Sequence, residues 1–159
     1  MWAWEQTPVP VPAMVMLCED TSVIGAPFYI MEYVDGSILR YSTDTASLDD
    51  AQRTALANKL IDTLADLHEV DPAQVGLADF GHPDGFLERQ VRRWTQQLER
   101  SRTRDLPGFE TLAAELARHV PVSQRASVVH GDYRLDNVIV GPDQQIRAVL
   151  DWEMATLGD

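Results

Sequence analysis

The spacing of apolar residues changes period along the chain, and each period predicts a different element. Met14 to Cys18 is a short apolar run, followed by the polar turn Glu19-Asp20-Thr21-Ser22. Phe28 to Val34 is a second run, rich in aromatic and β-branched residues, and Asp35-Gly36 ends it. These read as two strands that pair with each other. Thr7 to Pro12 holds three prolines, which remove donors and fix φ, so it reads as an extended lead-in. The period then becomes helical. Leu56, Leu60, Ile61, Leu64 and Leu67 make one stripe, led by Ser47-Leu48-Asp49-Asp50 as an N-cap with an acid three residues on. His68 and Val70-Asp71-Pro72 mark its end, and the stripe predicts a central buried helix with His68 packed on or beside it. After a Gly-rich loop over 76–85, Phe86, Leu87, Val91, Trp94 and Leu98 predict a helix to about Arg102. Leu106-Pro107-Gly108 breaks it. Phe109 to Val120 predicts a third helix with Leu112, Leu116 and Val120 facing inward, ended by Pro121.

The stretch that carries chemistry comes last. Val128-Val129 leads into His130-Gly131-Asp132, and Asn137 follows five positions after the aspartate. A short strand, a Gly-Pro-Asp turn and a second strand then deliver Asp151. This brings Asp132, Asn137 and Asp151 to one end of a small hairpin. Phosphoryl transfer needs such a set: a carboxylate to orient the accepting hydroxyl, and hard oxygens to hold magnesium on the phosphates. Asp132 is the candidate catalytic residue; Asn137 and Asp151 are the candidate magnesium ligands. His-Gly-Asp-x-x-x-x-Asn has the spacing of the kinase catalytic loop, with Gly131 where protein kinases carry Arg. Asp151-Trp152-Glu153 stands where they carry Asp-Phe-Gly. The bland alternative is a hairpin whose polar residues only form turns. His130 is assigned a structural role holding the loop, Gly131 a tight backbone path. Arg134 faces either the transferred phosphate or a neighbouring acid.

The runs His130–Asn137 and Ile146–Asp159 resemble the aminoglycoside phosphotransferase and choline kinase-like family, and are most like the subgroup of kinase domains fused to acyl-CoA dehydrogenases. The resemblance implies an α+β, protein kinase-like fold, here truncated. Residues 1–36 would be a remnant of the small β lobe with the hinge. Residues 37–159 would be a mostly helical large lobe with a catalytic β-hairpin, lacking the family's closing helices. It implies ATP and Mg2+ as cofactors and a small-molecule hydroxyl as acceptor, with aminoglycosides, choline-like amines or hydroxyacyl-coenzyme A esters as the analogies. At the hinge it implies that the Glu32 carbonyl and the Val34 amide meet the adenine edge, with Met31 at the back of the pocket. It also implies a Gly-rich turn and a strand Lys paired to a helix Glu. The sole lysine is Lys59, inside the predicted central helix, and Glu5 lies too near the prolines to serve. The chain therefore reads as a fragment with little activity alone. The sequence-based rival is a non-catalytic kinase-like module that binds nucleotide or a partner protein.

Composition narrows this further. The net charge of −12 is concentrated in residues 1–80, where 13 acids face 3 bases. So acidic a surface argues against general nucleic-acid binding, which depends on Lys and Arg at phosphates. No apolar run reaches the roughly 20 residues of a membrane span, and the start lacks the pattern of a signal peptide. A single cysteine, Cys18, excludes an internal disulfide framework, makes a cytoplasmic setting the default, and reads as a small buried side chain. Arg89, Arg92, Arg93, Arg100 and Arg102 on the second helix read as a solvated face, with an anion-binding face for substrate as the sharper alternative. A metallohydrolase built from His130, Asp132, Asp136 and Asp151 is a further alternative, unsupported by any paired-His spacing.

Overall fold

Two antiparallel strands, β1 (Met14–Cys18) and β2 (Phe28–Met31), open the fold in the computed structural model, which describes residues 7–159. Glu5 lies outside the described residues. Leu17 pairs with Tyr29 and Cys18 with Phe28, the cross-strand contacts expected of apolar and aromatic residues. The second strand is shorter than its apolar run, stopping at Met31 rather than Val34. Cys18 is not buried: it ends β1 half-exposed, its sulfur 3.9 Å from the Asp20 carbonyl oxygen. A two-stranded sheet has one partner per strand and no covering layer to bury it.

The helix α1 (Asp50–Glu69) is the spine of the larger part of the chain. Its cap is Asp49 rather than Ser47. The Asp49 carboxylate accepts the Gln52 amide hydrogen at 2.8 Å, and the Gln52 side chain accepts the Asp49 amide hydrogen at 2.9 Å. Asp-x-x-Gln is itself a capping box, so the signal lay two residues later. Leu56 and Leu67 are buried and Leu60 and Leu64 pack against the core, but Ile61 is 64% exposed. Thr63 takes the buried place beside the stripe instead. His68 is half-buried, as expected. Burial and the neighbouring Arg125 charge hold its imidazole below the usual 6.5.

α2 (Phe86–Ser101) and α3 (Phe109–Arg118) pack on one another. Neither has a fully buried residue. Leu112 and Leu116 are exposed, at 57% and 52%, contrary to their inward placement from spacing alone. Amphipathic spacing identifies an apolar face but not whether anything covers it.

Two further ladders complete the described chain. β3 (Ser127–Val129) pairs antiparallel with β6 (Thr156–Gly158), and β4 (Val138–Val140) with β5 (Ile146–Val149). α1 packs on β3 and β5. Val128, Val138, Val149 and Leu157 join Leu56, Leu67 and Val9 in one core. Val9 brings the proline segment into that core, and the Pro10 carbonyl accepts the Val149 amide hydrogen at 2.8 Å. Proline costs nothing here because only its acceptor is used. The segment after β2 is tied to the hairpin as well. Ser37 and Val140 exchange both backbone hydrogen bonds, at 2.8 and 2.9 Å. Gly36 is required there, since a Cβ would lie 2.5 Å from Ile139 Cγ2. Among the described residues no helix is long and apolar enough to cross a membrane.

Candidate active site

His130 ends the β3 segment almost wholly buried, at 1% exposure. Its Nε2 lies 2.8 Å from the Leu150 carbonyl oxygen, and its Nδ1 lies 3.3 Å from the Asp132 backbone nitrogen. Hydrogen on Nε2 satisfies both contacts: the ring donates to Leu150 and accepts from Asp132. The ring also lies tilted against Trp152, with centroids 4.7 Å apart, and meets Tyr133 edge-on at 5.8 Å. His130 is thus a loop-holding residue with both nitrogens engaged. Gly131 comes next with φ +84, and a Cβ there would lie 2.5 Å from the Met154 carbonyl oxygen. Left-handed backbone and close approach both demand glycine.

Asp132 is half-buried. The Asn137 side-chain amide donates to the Asp132 carbonyl oxygen at 2.9 Å and to its carboxylate Oδ2 at 3.1 Å. With the amide nitrogen so used, the Asn137 side-chain oxygen is turned away from Asp132. The Asn137 carbonyl oxygen accepts the Leu150 amide hydrogen at 2.8 Å. Leu150 therefore spends its N–H on Asn137 and its C=O on His130, and Asp151 is the next residue. The hairpin and the loop are laced together at the point where both deliver their oxygens.

Asp151 adopts φ +65, ψ +58, a left-handed conformation that is rare outside glycine. Its side chain is exposed and has no hydrogen bond or ion pair among the described residues. A strained backbone that points an unpaired carboxylate into an opening is a common mark of a functional position. One neutral amide oxygen and one carboxylate, neither of them consumed by protein donors, are the ligand types that magnesium takes from a protein. The four-residue metallohydrolase cluster does not assemble. Among the described residues no three His, Cys, Asp or Glu side chains gather to hold a metal. His130 is occupied as above, and Asp136 is paired with the Arg134 guanidinium. Of the two places considered for Arg134, it takes the one beside an acid.

A narrow apolar slot runs from the proline segment and the first sheet to the end of the hairpin. Val11, Met14, Tyr29, Met31, Leu150 and Asp151 line it. Met31 thus shares one slot with Asp151. Glu32 lies just past β2, and its amide donates to the Ala13 carbonyl oxygen at 2.8 Å. The return bond is made to the side chain: the Ala13 amide donates to Glu32 Oε2 at 3.2 Å. The Glu32 carbonyl is left outside the ladder, and Val34 lies half-buried two residues on. On the other side of the loop a cleft of about 600 Å3 opens between α2 and the Asp132 loop, bordered by Arg93, Trp94, Gly131, Glu153 and Met154. Arg89, at its edge, is spent on the His82 and Asp84 carbonyl oxygens. Glu153 is exposed in this cleft.

A profile of the phosphotransferase enzyme family matches residues 1–159. The chain belongs to that family. It is 42% identical over 152 residues to mouse acyl-CoA dehydrogenase family member 10, covering 95% of this chain and 14% of that protein. It is 42% identical to a Ralstonia eutropha crystal structure assigned as an aminoglycoside phosphotransferase, with a TM-score of 0.89 over 99% of this chain and 48% of that one. The ternary complex of APH(2″)-IIa with streptomycin and ATP shares the fold, at a TM-score of 0.66 and 22% identity over 97% of this chain and 52% of that one. The chain thus spans about half of the phosphotransferase structures it matches. Its architecture is the protein kinase-like fold of that family.

Several contributors to this candidate site had no motif to announce them. The Pro10 carbonyl and the Ser37–Val140 exchange are backbone interactions, invisible to residue type. The Glu32 carboxylate and the Tyr133 hydroxyl left fainter signals. An acid interrupts an apolar run at Glu32, and a Thr at position 63 sits within an otherwise leucine-rich stripe.

Proposed function

We propose that this chain carries the catalytic loop and hinge of a small-molecule kinase, which moves the γ-phosphoryl group of ATP to a hydroxyl of a small molecule. The observation that supports it best is the pairing of Asn137 with the Asp132 carboxylate, together with the unpaired, left-handed Asp151 one residue past the Leu150 that bonds Asn137 and His130. Asp132 orients the acceptor hydroxyl toward the phosphorus and takes its proton as the new P–O bond forms. Asn137 and Asp151 hold magnesium, which when bound neutralises charge on the phosphates. Adenine enters the slot beside Met31, with the Glu32 carbonyl and the Val34 amide at its edge. The acceptor enters the cleft bordered by Glu153 and by Gly131, the residue directly before Asp132. Kinase catalysis depends mostly on such positioning, because the protein forms no bond to the group in flight.

The chain by itself is expected to turn over slowly. The phosphates of bound ATP need a cationic clamp, and the only lysine, Lys59, is in α1. That same observation favours a second reading, a kinase-like module that binds nucleotide or a partner without transferring phosphate. A panel of hydroxyl compounds, assayed with magnesium ATP on the full-length protein, separates the two. Phosphorylated product that disappears in Asp132→Asn supports the kinase; nucleotide binding with no product across the panel supports the module.

A further inference from the structure

We propose that Tyr133 is a positioning residue whose hydroxyl fixes the Asp132 loop against α1. The inference rests on the reading of Asp132 as the residue that orients the acceptor. Tyr133 is the residue directly after Asp132, and its hydroxyl donates to the Leu60 carbonyl oxygen at 2.9 Å, across 73 residues of sequence. Leu60 is in the middle of α1, where a carbonyl already serves the helix and offers its second lone pair. The buried Thr63 side chain, on the next turn of α1, acts on the same phenol and favours its ionised form. Burial holds the phenol above its usual 10.0, with Thr63 pulling the other way.

Position in the network makes this more than packing. Among the described residues, the other hydrogen bonds made by positions 131–136 stay within the loop and its immediate flanks: Asp132 to His130, Arg134 to Asp136, Asn137 to Asp132 and to Arg134, and the Val138 amide to the Leu135 carbonyl oxygen. The Tyr133 hydroxyl instead reaches a twenty-residue helix seated on β3 and β5. Its ring also meets His130 edge-on, and His130 holds the Asp132 amide. Asp132 is therefore referenced to α1 from one side and to Leu150 from the other. A phenylalanine would fill nearly the same space but keep only the ring contact. Small displacements of a reacting group lower rates steeply, by up to about a hundredfold per ångström.

The test is Tyr133→Phe in the full-length protein, with Thr63→Val as the partner variant. Amide hydrogen exchange of residues 131–136 should rise at least about fivefold in Tyr133→Phe while α1 and β4–β5 keep their protection. The kcat for phosphoryl transfer should fall about tenfold with KM for ATP unchanged, because the nucleotide slot is built by other residues. Thr63→Val should act in the same direction and add little on top of Tyr133→Phe, as coupled groups do. Unchanged exchange at 131–136 overturns the proposal, whether or not the protein proves to be a kinase. Raised exchange with an undiminished kcat also overturns it. A wild-type protein without transferase activity would refute the kinase reading instead, and the exchange data would still decide whether Tyr133 anchors the loop.

Discussion

The side-chain amide of Asn137 donates to Asp132 twice, to the backbone carbonyl at 2.9 Å and to the carboxylate at 3.1 Å. One residue thereby aims the proposed base and presents its own amide oxygen in another direction. Asn137→Asp would keep a metal-binding oxygen but set two carboxylates against each other. It should therefore impair turnover more than magnesium affinity. Kinetics at varied magnesium on the full-length protein will measure both; a change in magnesium affinity alone would contradict this geometry.

Asp132→Asn should lower kcat by about 10²–10⁴-fold, the usual contribution of a positioned proton acceptor. Its melting temperature should stay close to that of the wild type, since the carboxylate accepts one side-chain hydrogen bond and an amide oxygen can do the same. Steady-state kinetics paired with thermal unfolding checks both halves.

Asp151 combines a strained backbone with an unpaired side chain. Asp151→Gly should relieve about 1 kcal/mol of left-handed strain while removing a proposed metal oxygen. The expected result is a protein that is more stable yet has lost magnesium-dependent nucleotide binding. Calorimetric titration of ATP with and without magnesium, next to a urea melt, tests it. Undiminished magnesium dependence would remove Asp151 from the site.

Gly131→Ala should destabilise the fold by about 1–3 kcal/mol, the range for a non-glycine residue held in such a conformation. The contact with the Met154 carbonyl oxygen adds to that. Alanine at Gly76, also at positive φ but with open space around it, should cost less. Urea unfolding of the two variants compares close approach with backbone strain alone.

His68 makes stability depend on pH. Its folded-state value is depressed, by burial first and by the Arg125 charge second. The unfolded chain therefore takes up the proton first as pH falls. The stabilisation is complete above 6.5 and is lost as pH drops through the lower folded value. His68→Gln should flatten unfolding free energy against pH below 6.5; an unchanged slope there would assign the dependence elsewhere.

Residue patterns carried the order of the elements because each depends on neighbours in sequence. The apolar run at 14–18, the stripe from Leu56 to Leu67 and the Asp132–Asn137 spacing are all local, and each marks an element or loop in the structure. Burial was harder to read, because it depends on what lies across from a face. Leu112, Leu116 and Ile61 have the right spacing but stay exposed. β6 was missed because Thr156-Leu157-Gly158 is too short to show a period, and only the edge of β3 makes it a strand. Within the candidate site, the pairing of Asp132 with Asn137 follows from their spacing in the loop. The supports from Tyr133, Pro10 and Ser37 were not legible, because each reaches across the fold to a distant backbone group.

The reciprocal bond between Ser37 and Val140 fastens the chain leaving the first sheet to the hairpin. The sheet of β1 and β2 precedes Ser37, whereas Asn137 lies on the Val140 side, three residues upstream. With Pro10 bonded to Val149 ahead of that sheet, both of its ends are referenced to the hairpin that follows Asp132 and Asn137.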